Sequence, residues 1–131
     1  MRSTAMRAFC GLALLAGTPH LAHAQEKAEV KYAQVNEVKL AYYTRGKGEP
    51  LLMIMGFGAT MSMWDPALLD ALAKHHQLIL FDNRGIGLSS DTPQDHTTMQ
   101  QMADDAAGLV KALGFKKANI LAWSMGARIG Q

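Results

Sequence analysis

Two kinds of apolar pattern alternate along residues 30–131, and together they predict the order of elements. Val30 to Val35 and Val38 to Thr44 are runs rich in Val and Tyr, parted only by Asn36-Glu37. A two-residue connection containing Asn predicts a β-hairpin. Arg45 to Pro50 carries turn chemistry, after which Leu51 to Met55 is apolar without interruption. Gln77 to Phe81 and Ala118 to Trp123 have the same character. Such short continuous runs suit parallel strands covered on both faces. Between them the period changes. Asp65-Pro66 predicts a helix start, Asp65 as N-cap and Pro66 at the first helical position. Leu68, Leu69 and Leu72 give that helix an apolar face. Thr97 or Thr98 caps a second helix. Its Met102, Ala106, Leu109, Val110 and Leu113 recur at three- and four-residue spacing, and Gly114 ends it. The order is hairpin, strand, helix, strand, helix, strand. Strands alternating with helices imply βαβ units and a parallel sheet with helices on both sides, an α/β architecture.

The first 24 residues fall outside this pattern. Arg2 and Arg7 precede the ten-residue apolar stretch Ala8 to Gly17, and Ala22-His23-Ala24 offers small residues before Gln25. This is the pattern of a secretory signal peptide cleaved after Ala24, and ten apolar residues fall short of the ~20 that span a bilayer. The expected domains are therefore a leader, 1–24, and one incomplete α/β domain, 25–131. The expected localisation is secreted or periplasmic, with no membrane span after cleavage. Cleavage also changes the charge. The chain has 13 Lys+Arg and 11 Asp+Glu; removing Arg2 and Arg7 leaves eleven of each sign. No excess of basic side chains argues for nucleic acid or an anionic surface. The single cysteine, Cys10, leaves with the leader, so neither a disulfide nor a thiolate metal site is expected.

The chemistry concentrates at the end of the last strand. Asn119 to Trp123 runs into Ser124, with the small residues Ala122 and Gly126 two positions to either side, and a helix-compatible stretch begins at once. This spacing reads as a nucleophile elbow, the sharp strand-to-helix turn that lifts one side chain above a sheet. Two further stretches stand at strand ends: Met55-Gly56-Phe57-Gly58, and Asp82-Asn83-Arg84-Gly85-Ile86-Gly87-Leu88-Ser89. In this order the three stretches resemble the α/β-hydrolase superfamily over residues 30–131, the N-terminal half of that fold. Two departures are visible. Ala122 stands where the elbow pattern has glycine, and Met55 stands where members often have histidine. The resemblance implies a strand order 1-2-4-3-5. It further implies Ser124 as a nucleophile forming an acyl-enzyme, with the backbone N–H groups of Phe57 and Met125 as the oxyanion hole. Asp82 to Ser89 is expected to be structural, Asp82 and Arg84 bonding loop amides and carbonyls, and Asp105 likewise. Met61, Trp64 and Trp123, with Phe57 and Met125 beside them, are expected to line an apolar acyl pocket.

A serine hydroxyl needs a general base and a carboxylate to orient it, in the chain order Ser, Asp or Glu, His. All five histidines precede Ser124. His20 and His23 belong to the leader, His75 and His76 are expected to be solvated at the wrong edge of the sheet, and His96 has no matching role. No cofactor is expected. Gly85-Ile86-Gly87 lacks the third glycine of a dinucleotide loop, and the histidine spacing offers no metal site. The expected function is a serine hydrolase acting on a small-molecule carboxylic ester or related acyl substrate through Ser124, in a chain that carries only the N-terminal half of the enzyme. The alternatives are other chemistry on the same scaffold (acyltransferase, perhydrolase or carbon–carbon hydrolase) and a non-catalytic module that pairs through its open sheet edge.

Overall fold

The computed structural model describes residues 28–91 and 97–131. The expected leader and His96 lie outside these residues. Strands β1 (Lys31–Val35) and β2 (Val38–Arg45) form the hairpin, closing on the pair Val35 and Val38. The connecting Asn36 takes φ 50, a conformation Asn tolerates better than most side chains. Strands β3 (Glu49–Ile54), β4 (His76–Phe81) and β5 (Asn119–Ala122) complete a five-stranded sheet in the order β1-β2-β4-β3-β5. β2 is antiparallel to β1 and β4, whereas β4, β3 and β5 run parallel. This is the order the resemblance implied.

The uninterrupted apolar runs of β3 and β4 follow from burial on both faces, whereas β5, at the end of the sheet, departs from that expectation, with Ile120 48% exposed and none of its residues fully buried. Leu51, Met53, Leu78 and Leu80 point to one side, where they pack with Met61, Trp64 and Leu69. Leu52, Ile54, Ile79 and Phe81 point to the other, against Met102, Ala106, Leu109 and Ile129. The helices are thus split between the faces. Helix α1 (Pro66–Leu72), preceded by a 3-10 turn at Met61–Met63, covers the first face, and α2 (Met99–Ala112) with α3 (Met125–Ile129) covers the second. The Asp65 carboxylate accepts from the Leu68 N–H at 2.9 Å, the expected cap. Only Leu69 of α1 is fully buried, and Leu68 stays exposed, so its apolar face is narrower than the spacing predicts. At α2 the choice falls on Thr98, in a capping box with Gln101. Strand β5 is shorter than its apolar run. Trp123 leaves the ladder because the next residue must turn sharply.

Candidate active site

The parallel order brings two loops together. β3 lies between β4 and β5, so the chain ends of β3 and β5 emerge side by side at one edge of the sheet, where connections to opposite faces diverge. Ile54 pairs with Ala122, and the Trp123 N–H donates to the Ile54 carbonyl at 3.0 Å. Two residues further on, Gly56 therefore stands against Ser124. A Cβ at Gly56 would lie 3.0 Å from the Ser124 Cβ and 3.2 Å from the Trp123 carbonyl oxygen, a contact tight enough that the elbow would have to give by a few tenths of an ångström.

Ser124 has φ 54 and ψ −123, a backbone conformation that L-residues rarely adopt. It is exposed, and its side chain makes no capping bond to α3. The helix that follows is pressed close against β3. A Cβ at Gly126 would fall 2.3 Å from the Ile54 carbonyl oxygen, so the second small position of the elbow tolerates only glycine. The first is looser: Ala122 is half-buried and sits within the ladder. Met125 opens α3, where an N–H has no acceptor within the helix. Phe57 occupies the second position of a turn closed by the Ala59 N–H to the Gly56 carbonyl at 3.3 Å. Gly58 supplies the φ of 68 at its third position. That turn makes no use of the Phe57 amide. The Phe57 ring is 86% exposed.

The loop carrying Phe57 is clamped from the end of β4. The Asp82 carboxylate, 2% exposed, accepts from the Met61 N–H at 2.7 Å and from the Leu88 N–H at 2.9 Å. Asn83 Nδ2 donates to the Met55 carbonyl at 3.2 Å. Residues 55 and 61 are therefore both tied to one short segment. Gly87 makes the clamp possible, since a Cβ there would sit 2.2 Å from Asp82 Oδ2. The structural role expected of residues 82–89 is observed for Asp82, but Arg84 departs from it. Arg84 does not bond loop carbonyls; it makes a buried two-pronged pair with Asp105, Nε at 2.6 Å and Nη2 at 2.9 Å. That bond, against the opposing effect of burial, holds the guanidinium pKa above its ordinary value. Asn36 Nδ2 donates to the same carboxylate at 3.0 Å, joining the hairpin to α2. This partner of Arg84 was missed, although an aspartate on the apolar face beside Met102, Ala106 and Leu109 was a visible signal.

The expected pocket is assembled in part. Trp64 and Trp123 meet in a cavity of about 370 Å³ that Met55, Ala59, Met63 and Leu68 also line. Met61 is not part of it. It is 5% exposed and packs into the core beneath the loop, because its N–H is held by Asp82. A larger cavity, about 820 Å³, lies away from Ser124 between α2, α3 and β5. His75 is exposed, as expected; His76 begins β4, is half-buried and leaves Nδ1 without a partner. Both stand at the N-terminal end of their strand, opposite the elbow. Among the described residues, no group of three His, Cys, Asp or Glu is placed to hold a metal.

Residues 49–131 match the family model described as alpha/beta hydrolase fold. The chain belongs to this family. Among the curated relatives, a protein of Mycobacterium tuberculosis named as a non-heme bromoperoxidase is 38% identical over 95 residues, covering 72% of this chain and 36% of that protein. One of Azorhizobium caulinodans named as a carbamate hydrolase is 35% identical over 101 residues, covering 76% and 37%. Among solved structures, an α/β-hydrolase fold protein from Chitinophaga pinensis superposes with a TM-score of 0.69 at 37% identity, over 76% of this chain and 36% of that one. An enol-lactonase from Burkholderia xenovorans gives 0.71 at 33% identity, over 76% and 39%. The matched stretch covers little more than a third of these relatives' own length, so the chain holds only part of the fold.

Proposed function

We propose that this chain carries the nucleophile-bearing portion of an exported serine hydrolase that acts on a small carboxylic ester or related acyl substrate. Ser124 Oγ attacks the acyl carbon, and the Phe57 and Met125 N–H groups receive the negative oxygen. The observation that carries this reading is the conformation of Ser124. A non-glycine residue at φ 54, exposed at the end of a parallel strand and flanked by close approaches at Gly56 and Gly126, is the geometry an elbow requires. Relatives named for carbamate hydrolysis and enol-lactone chemistry support an acyl carbon as the electrophile. The name of the 38% identical relative favours, as a second reading, other chemistry on the same scaffold.

No histidine follows Ser124, so a general base of the expected chain order must come from elsewhere. The 131-residue chain should therefore release p-nitrophenol from p-nitrophenyl acetate no faster than its Ser124→Ala variant. The product of a reading frame that continues past Gln131 to an acidic residue and a histidine should hydrolyse the ester. In that product Ser124→Ala should lower kcat by several orders of magnitude. Turnover unchanged by Ser124→Ala in the longer product would overturn the assignment.

A further inference from the structure

Two carbonyl oxygens at the end of β3 crowd the first turn of α3. A Cβ at Gly126 would fall 2.3 Å from the Ile54 carbonyl oxygen and 2.9 Å from that of Met55. The first is engaged, since it accepts from the Trp123 N–H at 3.0 Å. The second belongs to a residue only 6% exposed and is held from 28 positions away by Asn83 Nδ2, at 3.2 Å. Asn83 is itself 2% exposed. Immediately before Gly126 stands Met125, whose N–H has no acceptor within the helix. A buried acceptor and a donor that the helix leaves unbonded thus lie within one residue of each other. Met55 stands beyond the β3 ladder, which ends at Ile54, and Gly56 tolerates the dihedral change that turning the Met55–Gly56 peptide requires.

We propose that Asn83 is a positioning residue. By holding the Met55 carbonyl it keeps that oxygen from capturing the Met125 N–H, and so leaves the amide open to a negative oxygen on the substrate. A buried carbonyl that loses its partner is unfavourable enough to recruit a neighbouring donor. Without Asn83 the site would fill itself, with its own acceptor seated where the reaction needs an empty place. This role differs from fixing the loop. Asp82 also anchors that loop, through the Met61 N–H, but its bond leaves the Met55 carbonyl untouched. The consequence for catalysis rests on the hydrolase reading above, whereas the switch of partners at Met55 does not require turnover.

The test follows the Met125 amide of the ¹⁵N,¹³C-labelled chain in Asn83→Leu, which removes the donor at similar volume. The expected result is that hydrogen exchange at Met125 slows about tenfold or more, the protection an ordinary hydrogen bond gives. A scalar coupling should appear at the same time between the Met125 nitrogen and the Met55 carbonyl carbon. A loosened fold would instead speed exchange at Met125 or leave it as it was. Asn83→Asp keeps the test decisive should the first variant not fold. Its new carboxyl donates when protonated and only accepts when ionised. Protection at Met125, measured against the unmodified chain at each pH, should therefore appear as that group ionises between about pH 4 and 9, and vanish on acidification. Unchanged or faster exchange at Met125 in Asn83→Leu overturns the proposal, as does exchange in Asn83→Asp that tracks the unmodified chain at every pH. In a longer product that hydrolyses esters, Asn83→Leu should lower kcat with KM unchanged, toward the ~10²–10³-fold loss of one oxyanion donor. An unchanged kcat there overturns the positioning role. Protection in the chain alongside a longer product whose turnover survives Ser124→Ala would sink the hydrolase reading and leave the switch of partners standing.

Discussion

Strain at Ser124 makes a stability prediction that needs no enzymatic assay. Holding a non-glycine residue in a sparsely populated backbone region costs of order 1–3 kcal/mol. Ser124 stands at φ 54 and ψ −123. Ser124→Ala keeps the Cβ and hence the strain. It removes only an exposed hydroxyl that caps nothing, so it should change stability by less than about 0.5 kcal/mol. Ser124→Gly releases the strain and gives back about 0.4–1 kcal/mol through the greater freedom of the unfolded chain. The net is a glycine variant roughly 1 kcal/mol more stable than the alanine variant. For a domain of this size that raises the thermal midpoint by several degrees. Urea denaturation of both variants followed by circular dichroism reads the difference as a shift in midpoint at constant slope. Lys117 provides the contrast: it is exposed and its φ is not positive, so there glycine should be the less stable of the pair. If glycine is no better than alanine at position 124, the elbow stores no strain and the geometric case for a nucleophile loses its support.

Other substitutions probe the packing around the site. Gly126→Ala places a methyl 2.3 Å from the Ile54 carbonyl oxygen and should lower stability by more than about 2 kcal/mol, read as a fall in urea midpoint. Asp105→Ala strands the buried Arg84 guanidinium and should cost about 3–5 kcal/mol, while the double variant Arg84→Met, Asp105→Leu should recover much of that loss in the same assay. Tyr43 has its phenol pKa raised, chiefly by burial, with the Arg45 charge opposing and the Asp82 charge assisting. The folded state holds that proton more tightly than the unfolded one. Its contribution to stability is therefore complete below the ordinary phenol pKa of about 10 and lost as pH rises through the higher folded value. Denaturation from pH 8 upward should show this loss, and Tyr43→Phe should remove it.

What could be read in the sequence was local. Leu51 to Met55 and Gln77 to Phe81 announce their burial because both sheet faces are covered, and the observed alternation of Leu52 and Ile54 against Leu51 and Met53 bears that out. The caps Asp65 and Thr98 were legible because a cap is satisfied within three residues. What escaped the sequence depends on long-range partners. Arg84 reaches Asp105, 21 positions away, and Asn36 reaches it across 69. Nothing near Met61 reveals that its N–H is taken by Asp82, so the spacing that put it beside Trp64 misjudged which of them faces the cavity. Trp123 is apolar yet 67% exposed, because the ladder stops at Ala122 to let the elbow turn.

The same partners explain why the elbow geometry is complete within this stretch of chain. Three constraints converge on Ser124 from β3 and β4, and none involves a base. The Ile54 carbonyl fixes Trp123 on one side and excludes any side chain at Gly126 on the other. Gly56 closes against Ser124 itself. Asp82 and Asn83 then hold the Phe57 loop at both of its ends, so that loop is fixed relative to the sheet that carries the serine. Catalysis that stabilises charge with fixed dipoles depends on such prior positioning more than on any single contact. The division of labour follows from topology. A parallel order that sets β3 beside β5 fixes the hydroxyl and the amide-bearing loop from one ladder. On the proposed hydrolase reading, a base and an orienting acid would be supplied by other segments without altering the conformation of Ser124.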